Sequence, residues 1–181
     1  MLLQGALLSS PLVGCANAGP TTCQGRALFE DADVRVCLEM IDSESSFGSE
    51  HYRAVVHERR DERVLFSGDQ GSDFAAQRLP GGSLVVANSW MIAAQTGDPR
   101  AWLTFNVNGD TRADPRLRDA LRWMADNPRF FVDARIRAAV NLVELGDPEG
   151  QALITKLEAT PDLSWQNREV LKKGRASSAW R

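Results

Sequence analysis

The hydrophobic period of the chain changes once, near Asp114, and this change limits the possible folds more than any other feature. Ahead of it, apolar residues recur at alternate positions; beyond it, they recur about every 3.6 residues. Alternation sends successive side chains to opposite faces of a strand, whereas the longer period gathers one stripe along a helix. Strands grouped ahead of helices predict an α+β protein and not an alternating parallel-sheet one.

Residues 23–110 form the expected β region. Arg26-Ala27-Leu28-Phe29 and Val34-Arg35-Val36-Cys37-Leu38 flank the turn-like Glu30-Asp31-Ala32-Asp33 and read as a hairpin, with Val34, Val36 and Leu38 on one face. Tyr52 to His57 alternates so that Tyr52, Ala54 and Val56 point together, and Val64-Leu65-Phe66 follows the charged stretch Glu58 to Arg63. Ser83 to Ala87, Trp90 to Ala93 and Ala101 to Val107 continue the series, punctuated by Gly81-Gly82 and Gly97-Asp98-Pro99. In the last of them Leu103, Phe105 and Val107 face inward. The expectation is an antiparallel meander of about six strands.

Residues 111–175 form the expected helical region of three to four helices. Asp114 ahead of Pro115 is a start signal, and Leu117, Ala120, Leu121 and Met124 share one face of a helix that ends near Asn127-Pro128. A second helix is predicted from about Val132 to Leu145, stopping at Gly146. Asp147-Pro148-Glu149 starts a third through Leu157, Asp162 to Lys173 offers a fourth, and residues 176–181 are a frayed tail. The stretch Arg135, Ala138, Ala139, Leu142, Leu145, Gly146, Asp147, Pro148, with Leu153, Ile154 and Leu157, resembles one HEAT-type helical hairpin. The resemblance implies an arginine opening the first helix, alanines that let two helices approach, and a Gly-Asp-Pro turn. Asn141 departs from the small residue that the family carries there. One hairpin is fewer than the three or more repeats a solenoid needs, so these helices are expected to pack on the sheet or on one another.

The first residues are apolar and uncharged, Leu2 to Leu8 and then Pro11-Leu12-Val13, but much shorter than the ~20 residues of a membrane-spanning helix. Such a run reads as the apolar part of a secretory signal, interrupted too early by Ser9-Ser10-Pro11 to be a core strand or helix. No lysine or arginine precedes it, and an upstream start would supply the usual positive charge. Leu12-Val13-Gly14-Cys15 resembles the lipobox of bacterial lipoproteins. The resemblance implies a signal peptide at 1–14, acylation of Cys15, and a lipidated tether at 15–22. Two or more acyl chains give lasting attachment, since each buried methylene contributes about 0.8 kcal/mol. Ala16 follows the cysteine where an aspartate would mark inner-membrane retention, so the resemblance implies a cell-envelope protein on the outer membrane, facing the periplasm. With Cys15 given to lipid, Cys23 and Cys37 remain as a pair in an oxidising compartment and are expected to form a disulfide. The loop of about fifteen residues it closes corresponds to roughly 3 kcal/mol in the chain-entropy model. Two cysteines alone do not supply the four ligands of a structural zinc.

Charge and motifs narrow the function. The net charge is −3, and residues 16 to 50 hold seven acidic residues against Arg26 and Arg35. Nucleic acid, bound chiefly through cations on phosphates, is a poor partner for that surface, and a basic protein suits it better. Glu30, Asp31, Asp33, Glu39, Asp42 and Glu44 are therefore the candidate partner-binding residues. His51 and His57 are the only histidines; on one strand they would lie ~20 Å apart, too far to share an ion or a proton relay. If Tyr52, Ala54 and Val56 face the core, both are expected on the solvent face. Nucleophile-elbow and phosphate-loop motifs are absent. Gly68-Asp69-Gln70-Gly71-Ser72-Asp73 lacks calcium-loop spacing and reads as a solvated turn. Trp102 and Trp123 are expected at core edges, whereas Trp90, Trp165 and Trp180 are less constrained. Arginines and aspartates interleave from Asp110 to Arg137, as on a solvated helix face.

No catalytic residue, metal or cofactor is expected. The predicted function is that of a lipid-anchored periplasmic protein-binding lipoprotein, most specifically an immunity protein that neutralises a basic antibacterial toxin. An envelope-assembly scaffold is the alternative, and a small periplasmic hydrolase using two carboxylates a further one.

Overall fold

The structure is a computed structural model that describes residues 23–42, 50–58, 61–68, 73–109 and 112–177. Cys15 and its tether, Glu44, most of the Gly68 to Asp73 loop, and Trp180 lie outside the described residues. The architecture is α+β, with two antiparallel four-stranded sheets followed by four helices. Sheet 1 is the meander β1 (Arg26–Glu30), β2 (Val34–Asp42), β3 (His51–Glu58) and β4 (Asp61–Gly68). Sheet 2 is a second meander, β5 (Ala75–Arg78), β6 (Leu84–Ala87), β7 (Met91–Thr96) and β8 (Asp98–Asn106). The strands therefore divide into two sheets instead of extending one meander, and there are more of them than the sequence pattern predicts.

The division follows from what each face must bury. Val34, Val36 and Leu38 of β2, Ala54 and Val56 of β3, and Phe66 of β4 pack against Phe74, just ahead of β5, and against Leu84, Val86 and Ala93 of the second sheet. Phe66 and Phe74 stack with ring centroids 5.6 Å apart. The opposite face of sheet 2, carrying Val85, Ala87, Ile92, Ala94 and Phe105, packs on the helices together with Val107 just past β8. Sheet 2 is thus the middle of three layers. Every residue of β6 is fully buried, as expected of a strand covered on both faces. The β5–β6 turn uses Gly82 at φ 86°, where a side chain would be strained.

The helices begin where the alternation ends. Asp114 accepts the backbone N–H of Arg116 at 2.9 Å, and Pro115 opens a short 3-10 turn that leads into α1 (Arg118–Asp126). The Arg116 guanidinium and that N–H hold the Asp114 carboxyl down to about 2. Helix α2 (Val132–Glu144) ends at Gly146, which adopts φ 71° and turns the chain into Asp147. Asp147 caps α3 (Pro148–Glu158) by accepting the N–H of Glu149 at 3.0 Å, and α4 (Trp165–Ser177) follows. Helix α2 is central, touching α1, α3 and α4. Ala138, Ala139 and Leu142 of α2 are buried, as are Ile154 and Leu157 of α3. Asn141 is buried too, and its amide returns to the Arg137 carbonyl at 2.9 Å. Among the described residues no helix is long and apolar enough to cross a membrane.

Candidate functional site

Four hairpin turns meet at one end of the sandwich: β1–β2, β3–β4, β5–β6 and β7–β8. Between them lies a cleft of about 540 Å³. It is lined by Asp33, Glu58, Asp61 and Asp98, by Arg78 and Arg100, and by Gln95 and the small residues of the turns. Among the described residues, four carboxylates thus share the cleft with two guanidiniums. Polar ties across the sheets hold the rim. Arg78 donates from Nε and Nη2 to Asp31 Oδ2 at 3.0 and 2.5 Å, and from Nη1 to the Gly82 carbonyl at 2.8 Å. Gln95 Nε2 donates to Glu58 Oε1 at 3.1 Å, and Arg63 Nη1 to the Arg100 carbonyl at 2.6 Å. Burial alone would raise the Asp31 carboxyl, but the Arg78 guanidinium and the N–H groups of Asp33 and Val34 outweigh it and hold that carboxyl below its ordinary value. The result is a cleft in which, among the described residues, carboxylates outnumber guanidiniums and the rim is held by hydrogen bonds between the sheets.

The acidic residues singled out in the sequence scatter around the fold. Asp33 joins the cleft, and Asp31 braces its rim. Glu30 pairs with Arg35. Glu39 is 4% exposed on the outer face of sheet 1, where its Oε2 accepts Arg53 Nη2 at 2.9 Å, so it is not a docking side chain. Asp42 ends β2, far from the cleft, and Glu44 lies outside the described residues. Glu58, Asp61 and Asp98 were not singled out. Their signal is topological: each sits at or beside a hairpin turn, and alternate ends of a meander fall together.

His57 corrects a further expectation, while His51 is half-buried. His57 is 3% exposed and does not face solvent. On the outer face of sheet 1, Cys37, Val55 and Glu39 are buried beside it, although Val64 on that face is exposed. His57 Nε2 stands 3.8 Å from Glu39 Oε1 and Nδ1 stands 3.8 Å from Glu62 Oε2, beyond hydrogen-bond range. Among the described residues neither nitrogen has a hydrogen-bond partner. A histidine between two carboxylates has the parts of a proton relay, but this one is shut away from the cleft. Asp73 corrects the reading of its loop as wholly solvated, since it is buried and accepts the Ser89 N–H at 2.8 Å.

Cys23 and Cys37 are disulfide-bonded, with Cα atoms 5.6 Å apart. Trp123 lies at a core edge as expected, edge-on to Phe130 at 5.2 Å and donating to Gln77 Oε1 at 2.8 Å; Trp102 is partly buried against the sandwich core. Among the described residues no group of three or more histidine, cysteine or acidic side chains is placed to hold a metal ion. No protein-family model, curated protein or solved structure matches the chain.

Proposed function

We propose that this is an envelope lipoprotein, acylated at Cys15, whose folded part binds a basic segment of a protein partner in the cleft between the hairpin turns and carries out no chemistry. The observation that carries the reading is the cleft itself, in which, among the described residues, Asp33, Glu58, Asp61 and Asp98 outnumber Arg78 and Arg100 and the rim is braced by cross-sheet hydrogen bonds. A concavity preformed in this way orders little on binding, so more of its contact energy becomes affinity. Its position fits a tethered protein. Gly25, just after the disulfide, lies so close to the Leu38 carbonyl that no side chain would fit, so the chain enters at the middle of β2 and β1 runs from there toward the cleft. The cleft would then face away from the lipid anchor. The narrowest form of the reading is an immunity protein that captures a basic toxin arriving in the periplasm.

The test is competition between cells. A strain lacking the gene should be killed by its parent, rescued by the full chain, and not rescued by the Asp33→Lys, Asp61→Lys, Asp98→Lys variant. That variant should also lose a protein partner which the parent chain retains from envelope extracts. Equal fitness of the deletion strain would sink the immunity reading, and an unchanged set of retained proteins would sink the cleft. Acylation is read separately, because Cys15→Ser should abolish acyl labelling.

A further inference from the structure

Among the described residues, large apolar side chains are exposed almost entirely at one end of the molecule. Met40 (51% exposed), Ile41 (52%), Trp90 (57%), Phe131 (48%) and Trp165 (72%) lie there, and only Val64 among the described large hydrophobics is exposed elsewhere. The topology brings them together. Because the four hairpin turns line the cleft, the far ends of those strands share the opposite end, where β2 runs out through Met40 and Ile41 and the β6–β7 turn carries Trp90. Phe131 N–H donates to Ser89 Oγ at 3.0 Å, which sets Phe131 beside that turn. Asn167 Nδ2 donates to Asp133 Oδ1 at 2.6 Å, which draws Trp165 and the start of α4 toward the start of α2. All three layers therefore contribute to one apolar end. None of these side chains is needed by the cleft.

We infer that this end rests on the surface of a phospholipid bilayer, with Trp90, Trp165 and Phe131 in the headgroup region and the acidic cleft held outward. The inference rests on the proposed lipid anchor. From Cys15 to Cys23 the chain spans at most about 25–30 Å when extended. The disulfide fixes Cys23 beside Cys37, and Ile41, four residues along β2, is about 14 Å from Cys37. The tether therefore has the length to let the apolar end reach the membrane, while the cleft lies a strand's length beyond. Tryptophan is the side chain best suited to such a boundary, with an apolar body and one N–H for water or a headgroup. The occupant need not bind tightly, because a tethered surface meets the membrane at high effective concentration.

The test separates this inference from the anchor. The full chain carrying an N-terminal hexahistidine tag is docked on vesicles of phosphatidylethanolamine and phosphatidylglycerol with a nickel-chelating lipid, so that attachment does not depend on acylation. Brominated acyl chains in those vesicles should quench the tryptophan emission. The Trp90→Phe, Trp165→Phe variant should lose most of that quenching. The Ile41→Gln, Phe131→Gln variant keeps every tryptophan and should show quenching at least two-fold weaker, with an unchanged melting temperature because both side chains are exposed. Absence of quenching in the parent, or equal quenching in the parent and either variant, would overturn the inference. A partner protein lost by the Ile41→Gln, Phe131→Gln variant, with no quenching in the parent, would assign this end to protein instead. Acyl labelling that fails at Cys15 while quenching persists would defeat the lipoprotein reading and leave the membrane-facing end standing.

Discussion

Asp147 shows how much one side chain carries. It is buried, it caps α3, and its Oδ2 accepts Arg122 Nη2 at 2.5 Å, so a single carboxylate joins the start of α3 to α1. Asp147→Ala should cost about 2–3 kcal/mol, from a lost cap of ~1 and a broken ion pair whose arginine remains partly hydrated. Asp147→Asn keeps the capping oxygen and should cost less. Chemical denaturation of the two variants checks the order, and equal losses would mean that the cap contributes nothing. Asp31 predicts a pH dependence. Its carboxyl lies below its ordinary value in the folded state, so the Arg78 tie stabilises the fold above the ordinary carboxylate range and the gain is lost as pH falls through the lower folded value. The stability gap between the parent and Asp31→Asn should therefore be present at pH 7 and shrink below about pH 4. A gap independent of pH would show that the pair is not the cause. These residues also show what a sequence discloses about a site. Asp33 is legible because it sits in a recognisable turn, whereas Glu39 has the same charge and is buried. Composition reports that a segment is acidic, and only the pairing of Glu39 with Arg53 decides that it faces no partner.

The helices were legible to within a few residues because their signals are local. Asp114-Pro115, Gly146, and Asp147-Pro148 each act on the backbone of their own turn. Strand β5 was not legible: Ala75-Ala76-Gln77-Arg78 holds no aromatic or β-branched residue, and it is a strand because β6 pairs with it, Ala76 opposite Val86 and Gln77 opposite Val85. The division into two sheets was hidden for the same reason, since alternation names the two faces of a strand but not what covers them. Helix contacts carry a second kind of non-local information. A Cβ on Gly150 would stand 2.8 Å from the Val143 backbone nitrogen and 3.1 Å from the Leu142 carbonyl carbon, so α3 must move off α2 to admit it. A Cβ on Gly174 meets mainly the Val140 and Ile154 side chains, which can shift. Gly150→Ala should then destabilise by about 1–3 kcal/mol despite the higher helix propensity of alanine, and Gly174→Ala by less. Thermal melts of both would test the ranking, and a stabilised Gly150→Ala would contradict the close approach of α2 and α3. The disulfide acts between elements as well, holding the segment before β1 on the middle of β2. Replacing both cysteines should cost up to about 3 kcal/mol. No loss in a denaturant titration would mean that the strand pairing already holds that segment.

At the scale of the molecule, sheet 2 decides how the protein behaves, because it belongs to both cores. Leu84, Val86 and Ala93 face sheet 1, while Val85, Ala87, Ile92 and Ala94 of the same two strands face the helices. Neither outer layer can leave without exposing one face of strands that the other layer still holds. The alternative, a sandwich that folds by itself with helices added later, would leave the helix-facing residues of β6, β7 and β8 open, an apolar sheet face that favours association. Two tryptophans report on the two cores separately. Trp102 packs against the sandwich core and Trp123 against the helix-facing core. If the layers are coupled through sheet 2, single-tryptophan variants retaining one or the other should give the same denaturation midpoint, and far-ultraviolet circular dichroism should coincide with both. If the midpoint at Trp123 fell clearly below that at Trp102, the helices would be an independent unit. The cleft at one end and the apolar surface at the other would then no longer be held in fixed opposition. The proposed function needs that opposition, with a membrane on one side and a partner on the other, so the coincidence of these transitions tests the orientation on which it depends.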